Sequence, residues 1–389
     1  MQSLILKSGR ERSLVNRHPW VFSGAVKNMP EAENGEIIKV FSNHNELLGY
    51  GFFSPHSQIT CRVFEFTPVH ITIDETFWKD KIKRAFQLRK LIIDSSQTNI
   101  YRLLHAEGDF LPGVIIDVYA TVAVVQILIR GTENIKGFIF DALHEIGIKH
   151  IYVKTKSNTQ RLEEVTTPSG WVGELHTMPI EAKENGIKFL VDVEKGQKTG
   201  FFIDQRENRK TLGEFSKDKK VLNTFSYSGG FSLYALANGA QLVHSVDSSK
   251  DAIEMCDKNV EANFSNSNHQ SFVEDVFEYL QKTEVDYDIM VLDPPAFAKS
   301  SKAVANAARG YKNLNLSALK KIKPGGLIFT FSCSQHIDRD LFRKIVFGAA
   351  ADAKRNVRIL RQFTQPDDHP INIFHPEGEY LKGLLLHVE

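Results

Sequence analysis

Features of an extracellular, metal-bound or membrane-embedded protein are scarce in this sequence. The 389-residue chain has three cysteines, Cys61, Cys256 and Cys333, without CxxC or histidine-rich spacing. An odd number of widely spaced cysteines argues against a disulfide framework or a structural zinc site. The longest apolar runs, such as residues 122–129, fall far short of the ~20 residues that span a membrane, and the N-terminus lacks the apolar core of a signal peptide. We therefore predict a cytoplasmic protein with reduced thiols and no bound metal.

The chain also lacks an excess of charge of either sign. Its formal net charge of +1 means that a nucleic-acid partner cannot be inferred from the total and must be sought in local clusters. Two stretches are rich in basic residues: Lys7, Arg10, Arg12, Arg17 and Lys27 in the first, and Lys79, Lys81, Lys83, Arg84, Arg89 and Lys90 in the second. These two stretches are the candidates for contacts with nucleic-acid phosphates.

The length exceeds that of one ordinary domain, and changes of pattern predict three. Residues 1–72 alternate short apolar stretches with Gly, Asn and Pro turns, which indicates a small β-barrel. Its strands are predicted at residues 13–15, 18–22, 35–41, 47–53 and 59–66. Residues 73–185 indicate a small mixed α/β domain. It is predicted to contain helices at 77–93 and 135–146, a β-hairpin at 113–119 and 122–129, and a strand at 150–154.

Residues 186–389 form the third predicted domain, where strands alternate regularly with helices from residue 220 onward. Strands are predicted at 221–225, 242–247, 270–273, 289–293 and 327–332. Helices are predicted at 231–238, 250–263, 276–281, 314–322 and 339–353. This alternation predicts a Rossmann-like, doubly wound parallel sheet, which binds its ligands beyond the carboxyl ends of the strands.

The turn after the first of these strands reads FSYSGGF, residues 225–231. Small residues let the backbone approach a ligand at a helix N-terminus. Asp247 ends the next strand, where a carboxylate can accept both ribose hydroxyls of a nucleoside cofactor. Nicotinamide and S-adenosylmethionine cofactors both fit this pattern. Asp275, after the third strand, favours S-adenosylmethionine because an acid there can bind the adenine amino group, although Asp275 can also be interpreted as a helix cap.

Two further strand ends indicate the chemistry. Asp293-Pro294-Pro295 follows the fourth strand, and two prolines direct the chain away from the sheet and hold the carboxylate at its edge. Cys333 follows the fifth strand. Carbon 5 of cytosine becomes nucleophilic enough to accept a methyl group only after a thiolate adds to carbon 6. An acid and a thiol at one sheet edge therefore suggest methylation of a pyrimidine carbon, while Cys61 and Cys256 are interpreted as core residues.

Several segments resemble known families. GRERSLVNRHPWVFSGAV resembles the opening of a PUA domain, an RNA-binding module, and LDPPAFAKS resembles motif IV of class I methyltransferases, which faces a nucleobase. Eight segments in order resemble the bacterial ribosomal RNA large subunit methyltransferase I family, a PUA domain joined to a class I cytosine-5 methyltransferase. They are RHPWVFSGA, YRLLHAEGDFLPGVIIDVY, KTGFFIDQRENR, NTFSYSGGFSLYA, LDPPAFAKS, RGYKNLN, TFSCSQH and HPEGEYLKG.

This resemblance implies an S-adenosylmethionine cofactor and a cytosine of large-subunit (23S) ribosomal RNA as substrate. It implies that Cys333 is the nucleophile and that Asp293 orients or polarises the base. The cofactor would be surrounded by Gln205, Arg206, Phe225, Ser226, Tyr227, Ser228, Gly229, Gly230, Asp247, Ser248, Asp275, Val276, Asp293 and Pro294. Candidates for holding the RNA or shaping its pocket are Arg309, Tyr311, Pro295, Arg17 and His18.

The chain departs from many RNA cytosine-5 methyltransferases at one point. Ala296-Phe297 follows the prolines where those enzymes place a second cysteine, so product release would use another group or none. The base that removes the carbon-5 proton is not identified, and His336 and His369 are only guesses. Two alternative functions stay open: N-methylation of a purine in RNA with Cys333 as a bystander, and a non-catalytic RNA-binding assembly factor. A homodimer is also left open.

Overall fold

The computed structural model describes residues 1–298 and 300–389, with the side chains of residues 157–159 and 301 left out. Lys299, in the LDPPAFAKS segment, lies outside the described residues. The chain forms two compact units, each assembled from separate stretches. The first comprises Met1–Lys183, Val191–Ile203 and Asp367–Gly378, and the second comprises Glu184–Leu190, Asp204–Pro366 and Glu379–Glu389. The division into three domains at residues 72 and 185 stays a prediction.

The first unit begins with a six-stranded sheet in the order β2-β6-β5-β4-β1-β3. Its elements are β1 (Ser3–Leu6), α1 (Arg12–Val15), β2 (Trp20–Phe22), β3 (Val26–Asn28), β4 (Ile37–Phe41), β5 (Leu47–Phe53) and β6 (Ile59–Glu65). The edge strands β2 and β3 are joined by the three-residue turn Ser23–Ala25, which is too short to cross a flat six-stranded sheet about 24 Å wide. The sheet must therefore curl, as predicted for a barrel.

One predicted strand in this region is wrong. Residues 13–15 lie in the single helical turn α1, which buries only Leu14. A three-residue apolar stretch is too short to show whether its period is that of a helix or of a strand. Strands β1 and β3 were not predicted.

The first unit continues with a five-stranded sheet in the order β11-β10-β9-β8-β7. Its elements are α2 (Glu75–Ile92), β7 (Ile100–His105), β8 (Val114–Tyr119), β9 (Val122–Ile127), α3 (Arg130–Asn134), α4 (Lys136–Glu145), β10 (His150–Val153), α5 (Ser157–Leu162) and β11 (Gly170–Val172). The predicted helices and the antiparallel β8–β9 hairpin are confirmed to within two residues. Trp78 of α2 packs on Phe52 and Phe64 of the first sheet, with ring centroids 5.5 and 4.8 Å away, so the two sheets share one hydrophobic core.

The second unit is built on a seven-stranded sheet in the order β16-β15-β14-β17-β18-β20-β19. The remaining elements of the chain are β12 (Ile180–Glu184), β13 (Ile187–Val191), α6 (Arg206–Phe215), β14 (Lys220–Thr224), α7 (Gly230–Ala237), β15 (Leu242–Asp247), α8 (Lys250–Asn263), β16 (His269–Val273), α9 (Val276–Lys282), β17 (Ile289–Leu292), α10 (Val304–Lys321), β18 (Gly326–Ser332), α11 (Arg339–Ala353), β19 (Val357–Phe363) and β20 (Lys382–Val388). β12 and β13 pair as a separate two-stranded sheet.

The predicted doubly wound sheet is confirmed. Strands β14 to β18 pair in parallel, and β20 runs antiparallel between β18 and β19. The strand order reverses at β14, which lies between β15 and β17, and this reversal is the point where such sheets bind ligands. The helix predicted at 314–322 is wrong at its start, because α10 already begins at Val304. Within the described ranges, no helix combines the length and apolarity required to cross a membrane.

A buried ion pair links α6 to Glu184 in this unit. The Arg209 guanidinium donates to both carboxylate oxygens of Glu184, at 2.9 and 2.7 Å, and the side chains are 2% and 0% exposed. Tyr234 also donates to this carboxylate, at 3.1 Å. All three side chains are thus held in one buried network.

We expect Arg209→Met to lower the free energy of unfolding by about 3–5 kcal/mol, because the substitution leaves the Glu184 carboxylate buried without its counter-charge. The matched control is Arg361→Met, which removes the exposed Arg361–Glu214 pair and should cost less than about 1 kcal/mol. Denaturant unfolding of the two variants checks this difference. Equal losses would contradict it.

Candidate cofactor and catalytic site

The loop between β14 and α7 has an unusual backbone. Phe225, Tyr227 and Gly229 have positive φ angles of 53°, 46° and 81°, so every second residue is left-handed. A Cβ atom on Gly229 would lie 2.5 Å from the Sγ of Cys256, and one on Gly230 would lie 3.0 Å from Arg209. Gly229 is therefore required by its left-handed conformation and by its close approach to α8, and Gly230 lies tightly against α6.

Two buried hydroxyls in this loop are available to a ligand. The Oγ atoms of Ser226 and Ser228 are buried, and neither has a hydrogen-bond partner among the described residues. A buried hydroxyl without a partner costs roughly 1–3 kcal/mol, which a polar ligand atom can offset. Because these hydroxyls lie at the N-terminus of α7, the loop fits the polar groups of a nucleoside cofactor.

Acidic residues end the next two strands. Asp247, the last residue of β15, is half-buried and accepts hydrogen bonds from the backbone N–H groups of Tyr227 and Ser249, both at 2.9 Å. Asp275 is exposed and caps α9, with one carboxylate oxygen accepting from Phe277 and Glu278 at 2.8 and 3.2 Å. Asp275 is therefore a helix cap, and its second oxygen lies free for a ligand in the described structure. Ser248 is exposed and Val276 is buried.

Asp293 is held at the end of β17 by a chain of amide side chains. The Nε2 of Gln205 donates to the carboxylate of Asp293 at 3.0 Å. The Nδ2 of Asn208, on α6, in turn donates to the Oε1 of Gln205 at 2.6 Å. This chain fixes the orientation of the Asp293 side chain. Asn208 was missed by the sequence analysis, although it lies in the same DQREN segment.

The two prolines and Arg206 lie beside this chain. Pro294 is buried and Pro295 is exposed. Arg206, at the start of α6, is buried and its Nε donates to Glu207 at 3.1 Å.

Cys333 follows β18, the strand that pairs with β17, and Asp293 follows β17. In the parallel β17–β18 pair, Leu292 is level with Thr330, so the residues that follow both strands emerge at the same edge. The backbone N–H of Ala298 donates to the Oγ of Ser334 at 3.3 Å, which ties the loop after the prolines to the segment after β18. Cys333 is half-buried. The structure thus brings an acid and a partly accessible thiol to neighbouring strand ends.

The other two cysteines differ sharply from Cys333. Cys61 and Cys256 are fully buried, and burial raises the pKa of each thiol to about 12. A thiol with so high a pKa is a poor nucleophile near neutral pH. Both therefore fit the core role assigned to them from the sequence.

A buried lysine near Cys333 was missed by the sequence analysis. Lys382, the first residue of β20, is 4% exposed, and burial lowers its pKa to about 8 while the Cys333 thiolate acts in the opposite direction. Its Nζ donates to the carbonyl oxygen of Ser334 at 2.7 Å. The sequence feature that could have indicated a buried lysine is its position as the only charged residue at the start of the apolar run KGLLLHV.

The predicted substrate-binding residues fall into different environments. Arg309 is exposed on α10. Tyr311 is fully buried, with its ring 4.6 Å from that of Phe297 and its hydroxyl 2.9 Å from the Oγ of Ser334, so it can shape the pocket but cannot contact RNA directly. In the first unit, Arg17 is exposed, and the Nε2 of His18 lies 3.3 Å from a carboxylate oxygen of Glu377.

The two histidines proposed as bases also differ. His336 is exposed three residues after Cys333. His369 belongs to the first unit, where it is buried with its Nδ1 3.0 Å from the carboxylate of Asp368.

The basic stretch of α2 is largely neutralised within its own unit. Lys79 and Lys83 both pair with Glu145, at 2.7 and 2.9 Å. Lys81 and Arg89 are buried against carboxylates at 3.1 and 2.5 Å. The expectation that this helix presents a basic face to RNA is therefore weakened.

The N-terminal basic stretch keeps its charge. Arg10, Arg12 and Arg17 are exposed, and none of them pairs with a carboxylate anywhere in the part of the chain that the structure describes. This surface of the first unit is the better candidate for contact with phosphates.

Two family profiles match parts of this chain. A family profile described as a PUA-like domain matches residues 4–66, and one described as an S-adenosylmethionine-dependent methyltransferase matches residues 152–371. Ribosomal RNA large subunit methyltransferase I of Shewanella frigidimarina is 42% identical over 393 residues, covering 98% of this chain and 98% of that protein. The protein of that name from Alteromonas mediterranea is 40% identical over 397 residues, covering 99% and 98%.

Two solved structures of proteins described as methyltransferases resemble this chain over its full length. A Streptococcus mutans protein provisionally described as an S-adenosylmethionine-dependent methyltransferase superimposes with a TM-score of 0.84 at 25% identity, covering 100% of both chains. Another provisionally described methyltransferase, crystallised with S-adenosylhomocysteine, gives a TM-score of 0.86 at 25% identity and the same coverage. S-adenosylmethionine is therefore the cofactor of this chain.

We expect Gly229→Ala to weaken S-adenosylmethionine binding more than about tenfold, because the methyl group strains a left-handed residue and collides with Cys256 inside the loop. The matched control is Gly239→Ala, since Gly239 has a similar φ of 80° but its added Cβ would meet nothing closer than 4.0 Å. Calorimetric titration of the two variants distinguishes loop geometry from general backbone strain. Equal affinities would argue against cofactor binding at this loop.

Proposed function

The chain belongs to the ribosomal RNA large subunit methyltransferase I family, and we propose that it methylates carbon 5 of a cytosine in large-subunit ribosomal RNA through a covalent adduct with Cys333. The observation that supports this most directly is the convergence of Asp293 and Cys333 at the ends of the adjacent parallel strands β17 and β18. Cys333 is also the one partly accessible thiol, since both other cysteines are buried. The proposed chemistry requires an accessible thiol beside a group that can orient the base.

The proposed cofactor site lies along the carboxyl ends of β14, β15 and β16. Ser226 and Ser228 would bind polar groups of the cofactor through their unpaired hydroxyls, and Asp247 would accept the ribose hydroxyls. The free oxygen of Asp275 would bind the adenine amino group, with Val276 against the ring. When bound, S-adenosylmethionine supplies an electrophilic methyl group.

The proposed reaction consists of addition to the cytosine ring, methyl transfer to carbon 5, and elimination that restores the ring. The Cys333 thiolate would form a bond to carbon 6, and the electron pair displaced toward carbon 5 would make that carbon a nucleophile. Carbon 5 would then bond to the methyl group as the bond from that group to the sulfonium sulfur breaks, which leaves S-adenosylhomocysteine. A base then takes the carbon-5 proton, the sulfur–carbon bond breaks, and the thiolate leaves as the double bond re-forms. Asp293, held by Gln205, would accept a hydrogen bond from the cytosine amino group and so orient the ring for addition. The base is not assigned.

The first unit would supply RNA affinity. Exposed Arg10, Arg12 and Arg17 can contact phosphates, so binding should weaken as salt concentration rises. A target cytosine in a duplex would have to be flipped out to reach Cys333. Both expectations depend on the PUA-like region acting as an RNA-binding module.

The alternatives make different demands on the site. N-methylation of a purine needs a hydrogen-bond acceptor such as Asp293 but no thiol, so it leaves the accessibility of Cys333 without a function. A non-catalytic assembly factor needs neither the oriented Asp293 nor the unpaired loop hydroxyls. Both alternatives predict that replacing Cys333 leaves the methylation activity of the protein, or its absence, unchanged.

We expect Cys333→Ala to reduce 5-methylcytidine formation by more than about a thousandfold while S-adenosylmethionine binding is unchanged, because only the nucleophile is removed. The control is Cys61→Ala, which removes a buried cysteine far from the site in sequence and should retain activity. The measurement is nucleoside mass spectrometry of deproteinised large-subunit RNA after incubation with methyl-labelled cofactor. Label in a methylated purine, or activity retained in Cys333→Ala, would overturn the proposal.

A second experiment tests the adduct itself. RNA containing 5-fluorocytosine should become covalently attached to the wild-type protein, because fluorine cannot leave carbon 5 as a proton does. The complex should survive denaturing electrophoresis and be absent with Cys333→Ala. A wild-type protein that forms 5-methylcytidine but no such complex would contradict the proposed mechanism.

A further inference from the structure

Strand pairing places Lys382 next to the segment that carries Cys333. β20 runs antiparallel to β18, and Lys382 is the register partner of Ser332, the residue before Cys333. The lysine side chain is 4% exposed. A buried ammonium group is costly unless hydrogen bonds and a nearby negative charge compensate it.

The hydrogen bonds of Lys382 direct its ammonium group toward the same segment. Nζ donates to the carbonyl oxygens of Ser334 and Tyr380, both at 2.7 Å. Among the described residues, no carboxylate lies within ion-pair distance of this nitrogen. Carbonyl oxygens satisfy its donors but do not neutralise its charge, so Lys382 is a buried cation without a carboxylate partner.

Charged groups on several elements act on this lysine. Burial is the largest influence and lowers the pKa of Lys382 to about 8. The Cys333 thiolate is the strongest opposing influence, followed by Glu379 and Asp338, whereas Arg339 acts in the same direction as burial. The hydroxyl of Tyr311 is hydrogen-bonded to Ser334, and the negative charge of the Cys333 thiolate acts to raise the pKa of this tyrosine. Electrostatic interaction is mutual, so an ammonium that is stabilised by the thiolate also stabilises the thiolate.

We propose that Lys382 is a positioning residue that holds Cys333 as a thiolate, through its buried ammonium group and its bond to the carbonyl of Ser334. This inference rests on the proposed function, in which that thiolate attacks cytosine. Lysine and cysteine form a coupled pair in which thiol with amine converts to thiolate with ammonium by transfer of one proton. In this role the lysine carries the proton before sulfur adds, and the base that removes the carbon-5 proton stays unassigned.

The pH profile of Cys333 alkylation tests the inference without RNA or cofactor. Iodoacetamide labelling, followed by peptide mass spectrometry, gives the rate at Cys333 at each pH. In the wild-type protein, the midpoint should lie below the value of about 8.5 that is usual for a free cysteine. A midpoint at or above that value would overturn the inference, whether or not any variant folds.

Substitution of the lysine gives the second arm of the test. Lys382→Met should shift the alkylation midpoint upward by about one pH unit or more, which corresponds to roughly tenfold slower labelling at neutral pH. Lys382→Arg retains the positive charge and should stay closer to the wild type. Thermal unfolding and S-adenosylmethionine affinity report whether each variant is folded. Identical alkylation profiles for wild type and a folded Lys382→Met would refute the role of the lysine.

Activity measurements separate this inference from the proposed function. Lys382→Met should lower kcat with little change in KM, and raising the pH should restore part of the loss, which a purely structural defect would not allow. If Cys333→Ala still methylates RNA, the proposed function fails, whatever Lys382 does. If Cys333→Ala is inactive while Lys382→Met keeps the wild-type pH dependence, only the inference about the lysine fails.

Discussion

The parallel pairing of β14 with both β15 and β17 determines where the chemistry of this protein can take place. At that point the strand order reverses, so the connections on either side of β14 leave a crevice at the carboxyl edge. The cofactor loop, Asp247 and Asp293 all follow strands that meet there, and Cys333 follows the next strand along. Strand pairing therefore brings residues that are far apart in sequence to the same edge of the sheet.

Side-chain contacts then fix orientation within that edge. Gln205 holds the carboxylate of Asp293, and backbone N–H groups hold that of Asp247. Cys256 packs against the left-handed Gly229 so closely that a Cβ there would lie 2.5 Å from its Sγ, and Arg209 packs tightly against Gly230, at 3.0 Å from the position of a Cβ. Groups that are already oriented need not reorganise when a ligand binds, which is how such sites favour a developing charge.

The sequence predicted the elements whose pattern is local. Helices α8 and α11 match their predicted bounds because their apolar residues recur at helical spacing and a polar cap begins each one. The residues at 13–15 were misassigned because three residues carry no period. α10 was predicted too short, although Ala307, Tyr311 and Leu314 continue its buried face toward the N-terminus. Both errors arise where the periodicity of apolar residues is weak over a short stretch of sequence.

The rest of the site depends on partners that sequence spacing cannot identify. The charges of α2 looked like an RNA-binding face, but Glu145, on another helix, neutralises two of them. Lys382 gains its significance from the segment that follows another strand, β18, and Asn208 gains its own because Gln205 reaches Asp293. The order of the sheet has a further consequence for folding: β20 follows β19 along the chain, yet it lies between β18 and β19. Until β20 has been synthesised and has inserted beside β18, that strand lacks its antiparallel partner, so the segment that carries Cys333 meets Lys382 only after this step. A truncated product would carry the cysteine without the lysine, and would expose an unpaired strand edge prone to aggregation.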